Sequence, residues 1–351
     1  MTPKCPRPEW SDDHLEALPS RQIRAPYFDD RQQAWVFSSY ADVLAAFRSS
    51  SLLQASATNS AGSTEHDEAA WLKMRAETKA ALSLRQVNKW QEILRPEVTA
   101  LTQALPADRP VDLVEEFARP LCLVLAVAVT GADPHNARQF EKLAEHVSAA
   151  AADPYDSKIR AQAKRAKDRL RGCFPEGPKS LRDSGFVALS RTVPSLLANA
   201  WFALLQHPEQ WRRLHQQPDL TAQAIEELLR YAGLTRLIFR RVIEDVDLNG
   251  IHLRKGDRVI LRITTANKDP HRFLRPDELD FAHRNNGQLS FGAGPHACVG
   301  ANLIRMAAIT ITRPLVERFA RAELVKPVEW RGGPIFRAPI SLPVLLREQI
   351  S

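Results

Sequence analysis

The chain has 351 residues, a formal net charge of +7 and four cysteines, with 44% hydrophobic and 25% charged residues. This composition suits a globular protein with a sizeable core, and no apolar run is long enough to span a bilayer. Basic residues are scattered rather than gathered into a stripe, so nucleic-acid binding is not expected. The cysteines (Cys5, Cys122, Cys173, Cys298) are far apart and form no CxxC pair, which argues against a disulfide framework or structural zinc and for a reducing cytoplasm.

The opening, MTPKCPRPEWSDDHLEA, is polar and proline-rich, unlike a signal peptide or membrane anchor. Helical periodicity and good helix formers then run over 67–82, 111–130, 137–150, 157–171, 185–206 and 208–231. The segment 245–262 changes character: DVDLNGIHL alternates around Asn249-Gly250, a pair suited to a type I′ hairpin turn, and RVILRI continues as a strand. After a turn-rich stretch over 267–289, a helix is expected from about Cys298 to about Ala320. The fold class is mainly α with a small β region. No repeat, low-complexity tract or linker divides residues 1–351, which read as a single domain.

The stretch LSFGAGPHACVGANLIRMAAITI (289–311) is a glycine-punctuated loop that delivers a cysteine to the start of an apolar helix. Gly292 and Gly294 permit backbone geometry closed to other residues, and Gly300 permits close approach of a flat partner. A cysteine at a helix N-terminus lies among unpaired N–H groups and the positive end of the dipole, which favours the thiolate. Taken alone, such a cysteine reads as a buried free thiol at a tight turn. Its neighbours change that reading. FGAGPHACVG fits the pattern FGxGxHxCxG at every specified position, and so resembles the haem-ligand loop of the cytochrome P450 family. The resemblance implies a P450 fold holding haem b, with Cys298 as thiolate axial ligand and Phe291 and Gly300 against the haem.

Further motifs stand in the family's order. EELLRY (226–231) sets Glu227 and Arg230 on one helical face, by itself a common surface pair. In the family this ExxR pair joins an arginine ahead of the cysteine, here Arg284, in a structural network that holds the cysteine loop. The stretch RRVIEDVDLNGIHLRKGDRVILRITTANKDPHRF is similar to the family's β region without a gap, which makes Arg240 a propionate-binding residue. His296 inherits another propionate contact. Trp71 and Arg75, spaced WxxxR, resemble a third clamp, although bacterial members often carry His at the position of Trp71. Without the resemblance Trp71 would be a core aromatic. The chain is shorter than typical members between about residues 171 and 187, where helices normally roof the substrate pocket. That implies a more open pocket, or one completed by a second subunit or a carrier-protein partner.

The distal helix departs from the pattern. Counting back from HPEQ (207–210), the family's AGxxT falls on Ala188, Leu189, Ser190, Arg191 and Thr192. Threonine is kept, but the acid that precedes it has become Arg191, and Pro194 should kink or break the helix. In oxygen-activating members the acid and alcohol relay protons, a task for which arginine is poorly suited. Three readings stand open. Arg191 faces the pocket and binds a carboxylate, as in peroxide-using members, although those place Pro directly after the Arg. The reaction is an isomerisation, dehydration or nitrogen transfer that needs no relay. Or Arg191 points away to a surface or to a propionate, and Ser190 or water relays protons.

The resemblance implies a haem-thiolate monooxygenase acting on a small organic molecule in bacterial secondary metabolism. Electrons would come from a separate ferredoxin and reductase, or the oxidant would be peroxide. A peroxygenase and a non-catalytic, P450-like recruitment module are the alternatives. A zinc or redox-thiol protein fits less well, since His296 and Cys298 lack further clustered ligands. Pocket walls are expected from 52–66, 186–192, Leu237-Ile238 and Ile335-Phe336.

Overall fold

The computed structural model describes residues 23–55, 68–171, 173–174, 181–282 and 287–348. Arg284, the wall residues 56–66 and parts of the shortened stretch (172 and 175–180) therefore lie outside the described residues.

A short N-terminal sheet region comes first, with β1 (Tyr27–Asp29), β2 (Ala34–Phe37), α1 (Tyr40–Arg48) and β3 (Leu52–Gln54). Helices follow: α2 (Glu68–Ala81), α3 (Leu84–Ala104), then β4 (Val111–Asp112), α4 (Arg119–Thr130), α5 (Ala137–Ala152), α6 (Ser157–Arg171), α7 (Asp183–Val187), α8 (Val193–Gln206), α9 (Pro208–Gln216) and α10 (Thr221–Tyr231). The second β region holds β5 (Leu237–Val242), β6 (Val246–Leu248), β7 (Ile251–Leu253) and β8 (Arg258–Arg262), with the single-turn α11 (Ile263–Ala266). Last come α12 (Ala301–Arg318), β9 (Phe319–Leu324), β10 (Trp330–Gly332), β11 (Arg337–Pro339) and β12 (Pro343–Glu348). The fold is mainly helical with small sheets, as the periodicity indicates.

Three expected helices have different bounds, each for a local reason. The helix expected over 111–130 opens instead as strand β4, because Val111 and Asp112 pair with Val344 and Pro343 of β12. Asp112 then caps the following wide turn, Leu113–Ala118, by accepting from the N–H groups of Val114 and Glu115. The helix expected over 208–231 breaks at Gln217, whose φ of −136° and ψ of +69° lie outside the helical region that a following proline disfavours. The last helix begins at Ala301, three residues beyond Cys298, and Phe319 leaves it for β9. The Asn249-Gly250 turn forms as the alternation suggests, with φ of +48° and +83°.

The main sheet has the order β1-β2-β8-β5-β3, with β2 and β8 parallel and the other neighbours antiparallel. It packs on α1 through Phe37, Phe47, Leu52 and Leu261. The larger core is helical, built from α3, α4, α8 and α12. Helix α8 is apolar on every side and correspondingly buried; Leu197, Ala198, Trp201 and Leu204 are fully enclosed. Each such leucine contributes about 2 kcal/mol of burial. Trp201 satisfies its indole N–H by donating to Thr312 Oγ1 at 3.1 Å.

Pro194 does not break this helix. It sits at the second position of α8, and the preceding turn, Ala188–Thr192, widens to π geometry, with Val193 N–H donating to Ala188 O. The extra residue in that turn absorbs the ring and the missing donor. Ser195 Oγ then donates to Arg191 O at 2.9 Å.

Candidate functional site

The cysteine loop is held by its own backbone. Cys298 N–H donates to Phe291 O at 2.7 Å, which folds FGAGPHAC back on itself. Gly292 and Gly294 have φ of +69° and +67°, and a Cβ on Gly294 would lie 2.4 Å from Phe47 O. Gly300 caps α12, and a Cβ there would stand 3.9 Å from Cys298 Sγ, beside the face the sulfur presents. Cys298 is exposed, its surface opening into a cavity of 540 Å³. Burial of its surroundings pushes the thiol up, and the Gly300 N–H, Arg75 and Arg305 only partly offset this. The helix end therefore does not by itself hold a free thiolate here: desolvation outweighs it. A bound metal ion would reverse that balance.

Around the loop, Trp71 and His296 stack with ring centroids 4.4 Å apart. Arg75 lies over the Trp71 ring at 5.3 Å and donates to Ala297 O at 2.6 Å. From the other side, Arg240 of β5 enters the cavity past Phe47, 5.4 Å from the ring centroid. It is 3% exposed, and its Nε has no hydrogen-bond partner. Burial pulls its guanidinium down to about 10. A buried cation in that condition requires an anion. Arg240, His296, Phe291 and Cys298 share the cavity wall, whose size lies within the range of about 300–1,000 Å³ typical of cofactor and ligand sites. These residues fit a flat cofactor with acidic side groups and an iron that takes sulfur.

Behind the loop, Glu227 and Arg230 form a bidentate pair (2.7 and 2.8 Å) with both side chains at 0% exposure. Arg230 also donates to the carbonyls of Asn267, Pro276 and Glu278, and Asp280 N–H donates to Glu227. The pair that looks like surface decoration in isolation is thus a buried knot tying α10 to the chain ahead of the cysteine. Arg284 lies outside the described residues.

Above, Thr192 at the end of the wide turn and Val193 and Leu196 of α8 join the cavity wall. The other expected distal residues do not join them. Ser190 is fully buried and donates its hydroxyl proton to Phe186 O at 2.7 Å. Arg191 points to α5, 3.5 Å from Glu141 and 3.6 Å from Glu145. Neither lines the Cys298 cavity. Arg191 is turned away from the Cys298 cavity, but toward two buried or half-buried carboxylates rather than to a surface or a propionate, and Ser190 does not reach the cavity. The wide turn before Pro194 is what aims both residues elsewhere.

Gln54, Ala55, Leu237, Ile238, Ile335 and Phe336 complete the wall as expected, while Ala150, Ala151 and Pro154 at the end of α5 were not foreseeable as wall residues. Their signal was only the run of small residues before Asp153, which reads as an ordinary helix end. Among the described residues no cluster of three or more His, Cys, Asp or Glu offers a zinc site, and no helix is long and apolar enough to cross a membrane.

Comparison with known proteins agrees with this geometry. The family model described as Cytochrome P450 matches residues 197–328. Cytochrome P450 CYP107DY1 of Priestia megaterium is 30% identical, over 72% of this chain and 70% of that protein. Nocardicin C N-oxygenase of Nocardia uniformis is 28% identical, over 93% and 92%. Among solved structures, P450BioI in complex with a hexadecenoic acid-ligated acyl carrier protein superimposes with a TM-score of 0.79 at 23% identity, covering 90% of this chain and 92% of that one. With these similarities, the chain belongs to the cytochrome P450 family, oxidising enzymes whose haem is held by a cysteine thiolate.

Proposed function

We propose that Cys298 is the axial ligand of this enzyme's haem and that Arg240, His296 and the Trp71–Arg75 pair hold the propionates. One observation carries the reading: Cys298 and the anion-seeking Arg240 open into the same 540 Å³ cavity. The Gly300 N–H, directed at Sγ, tempers the sulfur's charge and so the potential of the iron. Glu227 and Arg230 are positioning residues that fix the loop.

Haem supplies the oxidising power once electrons from a ferredoxin and its reductase, or peroxide, reach it. The protein's part is placement. Leu196, Leu237, Ile238, Ile335 and Phe336 exclude water from the substrate, and Thr192 holds a proton at its Oγ1 on the distal side. With Ser190 and Arg191 directed elsewhere, Thr192 and solvent are left to deliver protons. The whole chain is read as one haem domain in the cytoplasm, working in secondary metabolism. The relatives' names, nocardicin C N-oxygenase and a polyketide biosynthesis P450, support that setting. The acyl carrier protein bound to P450BioI supports a carrier-tethered substrate as one way to complete the pocket.

The test is the absorption spectrum of the purified protein, reduced and exposed to carbon monoxide. The red-shifted Soret band of a thiolate-ligated carbonyl haem is expected. Its absence in haem-replete protein overturns the assignment of Cys298.

A further inference from the structure

A second chamber, of 390 Å³, lies along the C-terminal half of α8, where the end of α10, Lys268 and the β10–β11 hairpin meet it. It shares no lining residue with the Cys298 cavity. Its size falls in the range of about 300–1,000 Å³ typical of ligand sites. Two edge-to-face aromatic pairs build its walls. Phe202 meets Trp330 with ring centroids 5.0 Å apart, and His207 meets Tyr231 at 5.4 Å. Gln206, exposed, marks its solvent side.

The charge on these walls has one sign. Lys268 and Arg337 line the chamber, and none of its described lining residues is acidic. Arg337 lies over the Trp330 ring at 5.3 Å, and Lys268 Nζ lies over the Tyr231 ring at 4.7 Å. The Lys268 side chain is only 9% exposed, while the carboxylate paired with it, the exposed Asp277, stands off at 3.6 Å. Burial pulls the Lys268 ammonium down in spite of that neighbour. A cation so enclosed gains from a further anion. Asn199 adds a demand of the opposite kind. It is 1% exposed, and its Nδ2 donates to Arg337 O at 2.9 Å, which leaves Oδ1 as the buried atom without a partner. An amide oxygen only accepts, so its missing partner is an N–H or O–H donor.

We propose that this chamber is a second ligand site, for a fused aromatic ring that carries an N–H and an anionic side group; an indole acid is the simplest such molecule. The rings of Trp330 and Tyr231 take its flat body, Lys268 its negative charge and Asn199 Oδ1 its N–H. The site stands apart from the Cys298 cavity and does not rest on the haem assignment.

The test is calorimetry on the haem-loaded protein with 4-phenylimidazole occupying the Cys298 cavity, the Soret band recording that occupancy. Indole-3-acetate should bind without displacing the azole. It should bind about tenfold more tightly than indole-3-acetamide, which lacks the charge, and severalfold more tightly than benzofuran-3-acetate, which lacks the N–H. Tryptamine, the same ring with a positive charge, should not bind. Lys268→Met should erase the preference for acid over amide and leave the amide's affinity unchanged. The proposal is overturned if indole-3-acetate displaces the azole, if it binds no better than its amide or the benzofuran, or if tryptamine binds as well. It is overturned equally if a folded Lys268→Met, with its melting temperature unchanged, keeps the preference for the acid. Should that variant not fold, the ligand series on the wild-type protein decides alone.

Discussion

Two buried arginines, Arg230 on α10 and Arg191 just ahead of α8, are treated differently by the fold. Arg230 meets Glu227 through two hydrogen bonds below 3 Å and gives its remaining donors to three carbonyls. Arg191 meets Glu141 and Glu145 only at 3.5–3.6 Å and borders a pocket lined by three more arginines. A guanidinium whose donors are all engaged is part of the scaffold. One whose carboxylates stand off beside a void still has donors to offer a ligand. Burial alone does not tell these cases apart; the geometry of the partners does.

The largest effect should come from the proximal side. Cys298→Ala is expected to abolish the thiolate-type carbonyl spectrum while haem still associates through the other cavity contacts, measured on haem-reconstituted protein. Next, Arg230→Leu should cost about 3–5 kcal/mol, because the buried Glu227 loses its bidentate arginine; urea denaturation reads it. A loss below 1 kcal/mol would mean that the knot is not scaffold at all. Arg240→Leu separates binding from folding. It should speed haem loss by about tenfold or more, the worth of one charge-assisted bond of about 1.5–3 kcal/mol, yet leave the apoprotein as stable or more so, because an unpaired buried cation is gone.

The distal effects should be smaller. Thr192→Val is expected to keep the haem spectrum and substrate binding but lower the product formed per oxidant consumed. Finally, burial raises the Glu145 carboxyl, but Arg191, Arg331 and Arg119 outweigh it and hold it below the usual range. Its pairing therefore stabilises the fold above the ordinary glutamate range and is lost as pH falls through the lowered value. The melting-temperature gap between wild type and Glu145→Gln should close in acid. The gap should be small at neutral pH, because the carboxylate is partly exposed.

What was legible in the sequence was local. The cysteine loop, the Glu227–Arg230 spacing and the Asn249-Gly250 turn each carry their geometry within a few residues, so the chain spells them out. The direction of Arg191 depends on α5, some fifty residues earlier, and on how one turn accommodates Pro194. Neither follows from counting back along a motif. The direction of the Cys298 shift is hidden from sequence for a related reason: the helix end is local and visible, whereas the desolvation that outweighs it is a property of the assembled surroundings.

The wide turn at Ala188–Thr192 also bears on how such a chain diverges. One added residue per turn offsets the face of everything before it by about 100° relative to an uninterrupted helix. A lineage that tolerates proline at position 194 thereby swivels the upstream side chains as a block, while α8 keeps its seat in the core. Turned toward α5 and out of the Cys298 cavity, position 191 carries its positive charge without placing it beside the cysteine. Pro194 thus leaves α8 buried in the core while the side chains just ahead of it face α5.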